Sequence, residues 1–173
     1  FDITIEYAKA DENDILIRLS AANRGPEAAR LTLLPTLWFR NTWSWGYENG
    51  PMGDVLGKPK LWADGANRIR ADHPVLGRYT LYAESPTDLL FTENETNNER
   101  LFGVPNASPY VKDAFHRAVI YGETAAVNPA QEGTKAAVRY QLTIPAGETA
   151  VLRLRLSPHH KTESPFADFD HIF

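Results

Sequence analysis

Residues 136–157 read AAVRYQLTIPAGETAVLRLRLS and contain the alternation that decides the fold class. Every second position from 152 to 156 is leucine, and arginines stand between them. Successive side chains of a β-strand point to opposite faces, so this spacing predicts a strand over 149–157 with one apolar face. The Pro-Ala-Gly-Glu sequence at 145–148 predicts a hairpin turn that connects this strand to another over 136–144.

The same two-residue period recurs along most of the chain. Asn23-Arg24-Gly25-Pro26 is a strong reversal signal, and it separates the second predicted strand from the third. We expect the first three strands to form an antiparallel meander. The pattern predicts a mainly β chain, a two-sheet antiparallel β-sandwich of about eight to ten strands. The further predicted strands lie at 1–7, 15–19, 30–40, 67–71, 79–84 and 88–93, and a short hairpin is predicted at 60–63.

One segment has a helical period instead. Ser108 is a typical N-cap, Pro109 suits the first helical position, and Gly122 suits the end of a helix. Between them, apolar residues at 111, 114, 115, 118 and 119 form a stripe on one side. The sequence therefore predicts one amphipathic helix that crosses the sandwich.

Composition excludes several classes of function. The 173 residues suit one domain, and a net charge of −4 without a basic stripe argues against nucleic-acid binding. The chain has no cysteine, which excludes disulfides and thiolate metal sites. No apolar run approaches the ~20 residues that span a bilayer, so we expect no membrane partner.

The densest feature is the stretch Trp38–Gly46, which holds three of the four tryptophans and leads into a Gly/Pro-rich loop at 46–66. Three interpretations are open: packing against a neighbouring domain, ordinary core packing, and stacking on a sugar ring. If the aromatic patch is exposed in the isolated chain, it favours a dimer of the chain through that patch. The candidate residues for substrate binding or a domain interface are Trp38, Phe39, Arg40, Asn41, Trp43, Trp45, Lys112, Asp113 and His116.

Residue types that carry catalysis are present, but they assemble no active site. Glu93, Glu95 and Glu99 are acidic neighbours, yet the segment has the composition of a solvated turn. Asp113 and Arg117 have the spacing of a helical ion pair. The five histidines lack metal-ligand spacing, and nucleotide and hydrolase motifs are absent, so no cofactor, metal or catalytic residue is predicted.

Four segments carry a resemblance to a known family, and the tryptophan-rich run is the most specific of them. The chain resembles large bacterial proteins usually classed as glucosidases, the mannosylglycerate-hydrolase-like proteins related to glycoside hydrolase family 63. The resemblance extends in order along the chain. The segments that carry it are Phe1–Ala10, Asn23–Ala29, Leu33–Gly46 and Tyr110–His116.

The resemblance implies an inverting hydrolase of α-glucosides in which a β-sandwich precedes an (α/α)6 barrel with the catalytic acid and base. This chain would be the accessory sandwich, over 1–158, with 159–173 as a linker and the start of a helix that leads to the absent catalytic domain. The chain begins at Phe1 within a strand pattern and ends shortly after the helix signal Ser164-Pro165, so we expect an excised segment. Its partners would be the catalytic domain of the same polypeptide and an oligosaccharide. An independent carbohydrate-binding module and a scaffold domain are the alternatives.

Overall fold

The protein is mainly β and consists of two antiparallel sheets, as the sequence predicts. The structure, a computed structural model, describes residues 1–44, 57–158 and 164–173. The larger sheet has seven strands in the order β1-β2-β11-β7-β6-β5-β9. These strands are β1 (Asp2–Asp11), β2 (Asp14–Ala22), β5 (Lys60–Ala63), β6 (Arg68–His73), β7 (Gly77–Ala83), β9 (Glu132–Gly133) and β11 (Thr149–Pro158).

The smaller sheet is organised around one long strand. Its members are β3 (Ala29–Leu33), β4 (Thr36–Trp38), β8 (Asp88–Thr92) and β10 (Lys135–Ile144). β10 pairs with β3 along its second half and with β4 and β8 along its first half. Pro35 separates β3 from β4, so the single strand predicted over 30–40 is wrong. A proline has no backbone N–H to donate to the ladder.

The core lies between the two sheets and is built from the alternating positions. Leu154 of the large sheet and Phe91 and Val138 of the small sheet are almost completely buried in one cluster. Burial of each such side chain contributes roughly 1.5–3 kcal/mol to folding. The predicted two-residue period therefore selects the residues that hold the sheets together.

The predicted hairpin at 145–148 and the predicted meander of the first three strands are both wrong. β10 belongs to the small sheet and β11 to the large one, so residues 145–148 cross between sheets. β3 likewise leaves the sheet that holds β1 and β2 and pairs with β10. Two crossings thus lie side by side at one corner of the sandwich.

Asn23 joins these two crossings. Its side-chain amide donates to the carbonyls of Glu27, Ile144 and Pro145 at 2.8–3.2 Å. Its backbone N–H donates to Glu148, and its carbonyl accepts from Gly147. The side chain is buried, so its bonds satisfy backbone carbonyls at the point where the chain changes sheet.

The predicted helix exists but begins later than its sequence signals indicate. α2 covers Ala114–Ile120 with Asp113 at the N-cap, and it is followed by Gly122 at φ +71°. Residues 110–112 instead run beside 93–95, with bonds from Glu93 N to Tyr110 O and from Lys112 N to Glu95 O. These bonds hold residues 110–112 outside a helix, so the helix begins at Ala114 and not at the signal of Ser108 and Pro109.

α2 packs on the outer face of the small sheet. Phe115 contacts Leu90 and Ala137, and all three are buried. The predicted apolar stripe is therefore the buried side of the helix. The described residues also include α1 (Asn98–Phe102), which the sequence reading missed, and a short 3-10 helix over Thr124–Ala126.

Residues 164–173 pack on the outer face of the large sheet and include α3 (Phe169–Ile172). Phe169 is fully buried there, and the guanidinium groups of Arg18 and Arg153 lie over the rings of Phe173 and Phe169. The outer face of the large sheet is therefore covered in part by the end of this chain. No helix in the described parts of the chain is long and apolar enough to cross a membrane.

Candidate functional site

A cluster of charged and aromatic side chains lies where the chain leaves β8. Backbone hydrogen bonds hold residues 93–95 beside 110–112, and the carboxylates of Glu93 and Glu95 both face the ammonium of Lys58. Both carboxylates are largely buried. The predicted solvated turn is therefore wrong for these two residues, whereas Glu99 lies in α1 and is exposed.

One ammonium group bridges the two carboxylates. Lys58 Nζ lies 3.0 Å from Glu93 Oε2 and 3.2 Å from Glu95 Oε1. Burial by itself lowers the pKa of Lys58, but hydrogen bonds and charge from Glu93 and Glu95 outweigh that effect and raise the pKa above its ordinary value. The lysine therefore stays charged and neutralises part of the acidic pair.

Trp43 is held against this bridge. Its indole N–H donates to Glu95 Oε1 at 2.7 Å, and Lys58 Nζ lies 5.5 Å from the centre of its ring. The preceding turn is closed by Asn41 Oδ1, which accepts from the backbone N–H and the hydroxyl of Ser44. Trp43 is thus oriented by a turn and by a carboxylate rather than by a strand.

Thr134 completes what we call the lysine-bridged cluster, which comprises Trp43, Lys58, Glu93, Glu95 and Thr134. The Thr134 hydroxyl donates to Glu93 Oε2 at 2.7 Å and accepts from the N–H of Asn94 at 2.8 Å. A Cβ on the preceding residue, Gly133, would overlap the carbonyl of Thr92. Only glycine lets the two backbones approach closely enough to form this contact.

A second group lies on the outer face of the small sheet and is called the Trp38 surface. It comprises the predicted residues Trp38 and Lys112 together with Lys135, which the sequence analysis did not single out. Trp38 stands directly opposite Lys135 in the β4–β10 ladder, so the two side chains share a face. Trp38 is 56% exposed. This is a large apolar side chain on a surface that also carries two cations.

Lys135 is fixed by its neighbours. Its Nζ donates to the carbonyl of Lys112 at 2.6 Å and lies 4.6 Å from the centre of the Phe115 ring. Burial lowers the pKa of Lys135, and the charge of Lys112 lowers it further against an opposing effect of Asp113. The ammonium of Lys112 reaches Thr96 Oγ1 at 3.3 Å.

Asp113 connects α1 to α2 instead of pairing within the helix. Its carboxylate accepts from Asn97 and from Arg100, the latter at 3.1 Å. Burial tends to raise the pKa of Asp113, but these hydrogen bonds outweigh it and lower the pKa. Arg117 pairs with Glu123 instead, so the predicted Asp113–Arg117 pair is wrong.

The structure brings together only part of the predicted set. Phe39 packs against the core with its ring 5.3 Å from His73, and His116 and Arg40 are exposed. Trp45 lies outside the described residues, as do positions 46–56 of the predicted loop; the rest of that loop contains β5. Lys58, Glu93 and Glu95 were missed as a group. The sequence carries one signal for this group: Glu93 and Glu95 are two residues apart and directly follow a strand.

The arrangement offers fixed acceptors and donors on connections that adjoin the ends of β8 and β10. Both carboxylates are already paired with Lys58, so the cluster suits recognition of hydroxyl or cationic groups at its rim rather than proton transfer. The described residues contain no group of three or more His, Asp or Glu side chains placed to hold a metal ion.

Comparison with known proteins gives one relative in Saccharomyces cerevisiae (strain ATCC 204508 / S288c), named Uncharacterized protein YMR196W. The chain is 33% identical to it over 183 aligned residues, which cover 91% of this chain. The chain spans only 16% of the length of that relative. No family model matches the chain.

Proposed function

We propose that this chain is a non-catalytic accessory β-sandwich domain of a larger glycoside hydrolase acting on α-glucosides, of the mannosylglycerate-hydrolase-like group related to family 63. In this proposal it packs on the catalytic domain of the same polypeptide and shapes its substrate cleft. Two sequence observations support it: the family resemblance of the tryptophan-rich run, and a relative of which the chain spans only 16%.

The exposed indole of Trp38 is the observation that carries the proposal. Tryptophan is enriched among the residues that dominate binding energy at protein interfaces, where a partner removes the ring from water. Trp38 is 56% exposed and is flanked by Lys135, whose position is fixed by Lys112. A surface with one large apolar anchor and fixed charges around it suits an apolar pocket with acidic groups at its rim on the partner domain.

Two experiments test this proposal. An immunoblot of the source lysate with an antibody against this chain should show a band several times larger than 19.4 kDa. A band near 19.4 kDa would contradict the accessory-domain interpretation.

The second experiment uses the full-length polypeptide with Trp38→Ala. We expect at least a tenfold loss of α-glucoside hydrolysis and faster release of this domain by limited proteolysis, because the anchor of the docking surface is removed. Val75→Ala is the matched control, since Val75 is similarly exposed but lies in the β6–β7 turn. Wild-type activity and proteolysis in Trp38→Ala would refute docking through this surface.

A groove on the other sheet favours the second candidate, an independent carbohydrate-binding module. Trp62 of β5 lines an open groove of about 440 Å³ together with charged and amide side chains. Its indole N–H has no hydrogen-bond partner among the described residues. An aromatic ring with polar groups at its edge suits the apolar face and the hydroxyls of a sugar. The other polar lining residues are Lys60, Asp72, Gln131 and Glu132.

Titration with maltose and longer glucans separates the two candidates. A binding module predicts a saturable change in tryptophan fluorescence that Trp62→Ala abolishes and Trp38→Ala leaves intact. The accessory-domain proposal predicts no saturable change in the isolated chain.

A further inference from the structure

β1 leaves one edge of the large sheet open and exposes apolar side chains along it. β1 is the first strand of the seven and pairs with β2 alone among the described strands. Ile3, Ile5 and Tyr7 are 44%, 50% and 68% exposed. An edge of this length, apolar and without a partner, is a template for pairing with another strand.

These side chains belong to the inner face of the sheet. Ile5 stands opposite Leu19, which in turn stands opposite Leu152, and residues directly opposite in a ladder share a face. Leu19 and Leu152 are buried in the core, whereas Ile5 is half exposed. The core therefore ends between β2 and β1, and the apolar face continues past it without cover.

β1 lacks two of the features that usually protect an edge strand, a proline and an irregularity near its centre. The strand contains no proline, and its pairing with β2 is regular from Asp2 to Lys9, with an irregularity only between Lys9 and Asp11. Its two acidic side chains before that point already have partners: Asp2 pairs with Arg24 and Glu6 with Arg18, each at 2.8 Å. β1 also carries Lys9, so its charges limit the registers in which another strand can pair with it.

We propose that this edge is the interface between two copies of the chain, formed by antiparallel pairing of β1 with β1 about a two-fold axis at Ile5. In that register Ile5 meets Ile5 of the other copy, and Ile3 meets Tyr7. The apolar residues of both copies then lie on the same side of one continuous sheet. The outer positions pair Thr4 with Glu6 and Asp2 with Ala8.

Charge selects this register over its neighbours. A shift of two residues in one direction places Glu6 opposite Glu6, and a shift in the other places Asp2 opposite Glu6. Like charges directly opposite each other destabilise a strand pair. A shift of one residue would place the apolar side chains of the two copies on opposite faces. The register centred on Ile5 places apolar side chains opposite each other and places neither Asp2 nor Glu6 opposite another acidic residue.

Cysteine cross-linking gives a sharp test, because the chain has no cysteine of its own. Mild oxidation should convert Ile5→Cys into a disulfide-linked dimer. Ile3→Cys and Tyr7→Cys should each stay monomeric alone on denaturing gels but cross-link when mixed. Thr4→Cys is the matched control, since it lies next to Ile5 but faces Glu6. Equal cross-linking of Thr4→Cys, or none of Ile5→Cys, would overturn the proposal.

Sedimentation equilibrium of the 173-residue chain is the second measurement. We expect a dimer, and we expect Ile5→Lys to weaken its association at least ~50-fold, because two ammonium groups would face each other. Ile5 is half exposed, so the variant should keep the circular dichroism spectrum and urea midpoint of the wild-type fold. A strict monomer, or a dimer that Trp38→Ala disrupts and Ile5→Lys does not, would overturn the proposal.

Discussion

Arg155 and Lys58 each bridge two carboxylates, and the two sites differ in depth and geometry. Arg155 donates to both oxygens of Asp14 at 2.9 and 2.8 Å and to Asp168 at 2.7 Å. The side chains of Arg155 and Asp14 are only 5% and 0% exposed. Lys58 makes single contacts to Glu93 and Glu95, and its side chain is 43% exposed.

The ion pair of Arg155 with Asp14 is buried and joins elements of the fold, whereas the ion pairs of Lys58 lie at a partly exposed surface. Arginine presents a rigid fork that matches a carboxylate, and here it joins β2, β11 and the segment 164–173, with a further bond to the Pro165 carbonyl. Lysine is a point charge on a flexible stem, and here Lys58 contacts the carboxylates of Glu93 and Glu95 in the segment that follows β8. We expect the ion pairs of Arg155 to control stability and the lysine-bridged cluster to control recognition.

Arg155→Met should have the largest effect on stability. It leaves Asp14 buried without its charge partner, and breaking a buried pair in this way costs about 3–5 kcal/mol. Urea unfolding followed by circular dichroism measures this loss. Asp14→Leu combined with Arg155→Met is the control and should recover much of it, because neither charge is then stranded. A single variant within ~1 kcal/mol of wild type would contradict the structural role of the pair.

Lys58→Met should have a much smaller effect. After allowance for solvent screening of a side chain that is 43% exposed, we expect a loss of roughly 0.5–1 kcal/mol. Lys60→Met is the matched control, since Lys60 has a similar exposure but a single carboxylate partner, Glu132. Its loss should be smaller than that of Lys58→Met. Equal losses would mean that the bridge between Glu93 and Glu95 adds nothing.

Salt should separate the two clusters further. At 0.5 M NaCl the Debye length is about 4 Å, which screens exposed charges much more than buried ones. The stability difference between wild type and Lys58→Met should fall by about half, whereas that for Arg155→Met should stay unchanged. A salt-sensitive Arg155 variant would show that water reaches the buried pair.

Alkaline pH should give the smallest difference. The pKa of Lys58 is raised in the fold, so its stabilisation is complete below the ordinary lysine pKa of 10.5 and is lost as pH rises through the folded value. Hydrogen bonds from Arg155 to Asp14 raise the pKa of the guanidinium, which stays charged throughout. Urea midpoints from pH 8 to 11.5 should therefore converge for wild type and Lys58→Met only. Parallel curves would contradict this assignment.

The sequence predicts the strands of this fold better than their connections. Alternation reports which face of a strand is buried, so β7, β8, β10 and β11 are found nearly at their observed bounds. A turn signal such as Pro145–Glu148 reports a reversal but not the sheet that the next strand enters. That choice depends on Asn23, which is 121 positions from the carbonyl of Ile144 to which it donates.

The candidate site was predicted only in part for a similar reason. Trp38 and Trp43 stand out as aromatic residues, and both belong to the described site. Lys58, Glu93 and Thr134 are ordinary in composition and acquire a role only through contacts between distant segments. Phe39 stands in the same tryptophan-rich run yet packs inward, because strand alternation turns it towards the core.

The corner at Asn23 also sets the order in which the protein can be completed during synthesis. β1 and β2 emerge before the other described strands and form a hairpin, but the second neighbour of β2 is β11, the last described strand. The corner at Asn23 cannot form until residues 144–148 leave the ribosome. The large sheet cannot close until β11 follows them. The apolar face of the first hairpin therefore stays unpaired until β11 has been synthesised, and a fold with such distant contacts closes slowly.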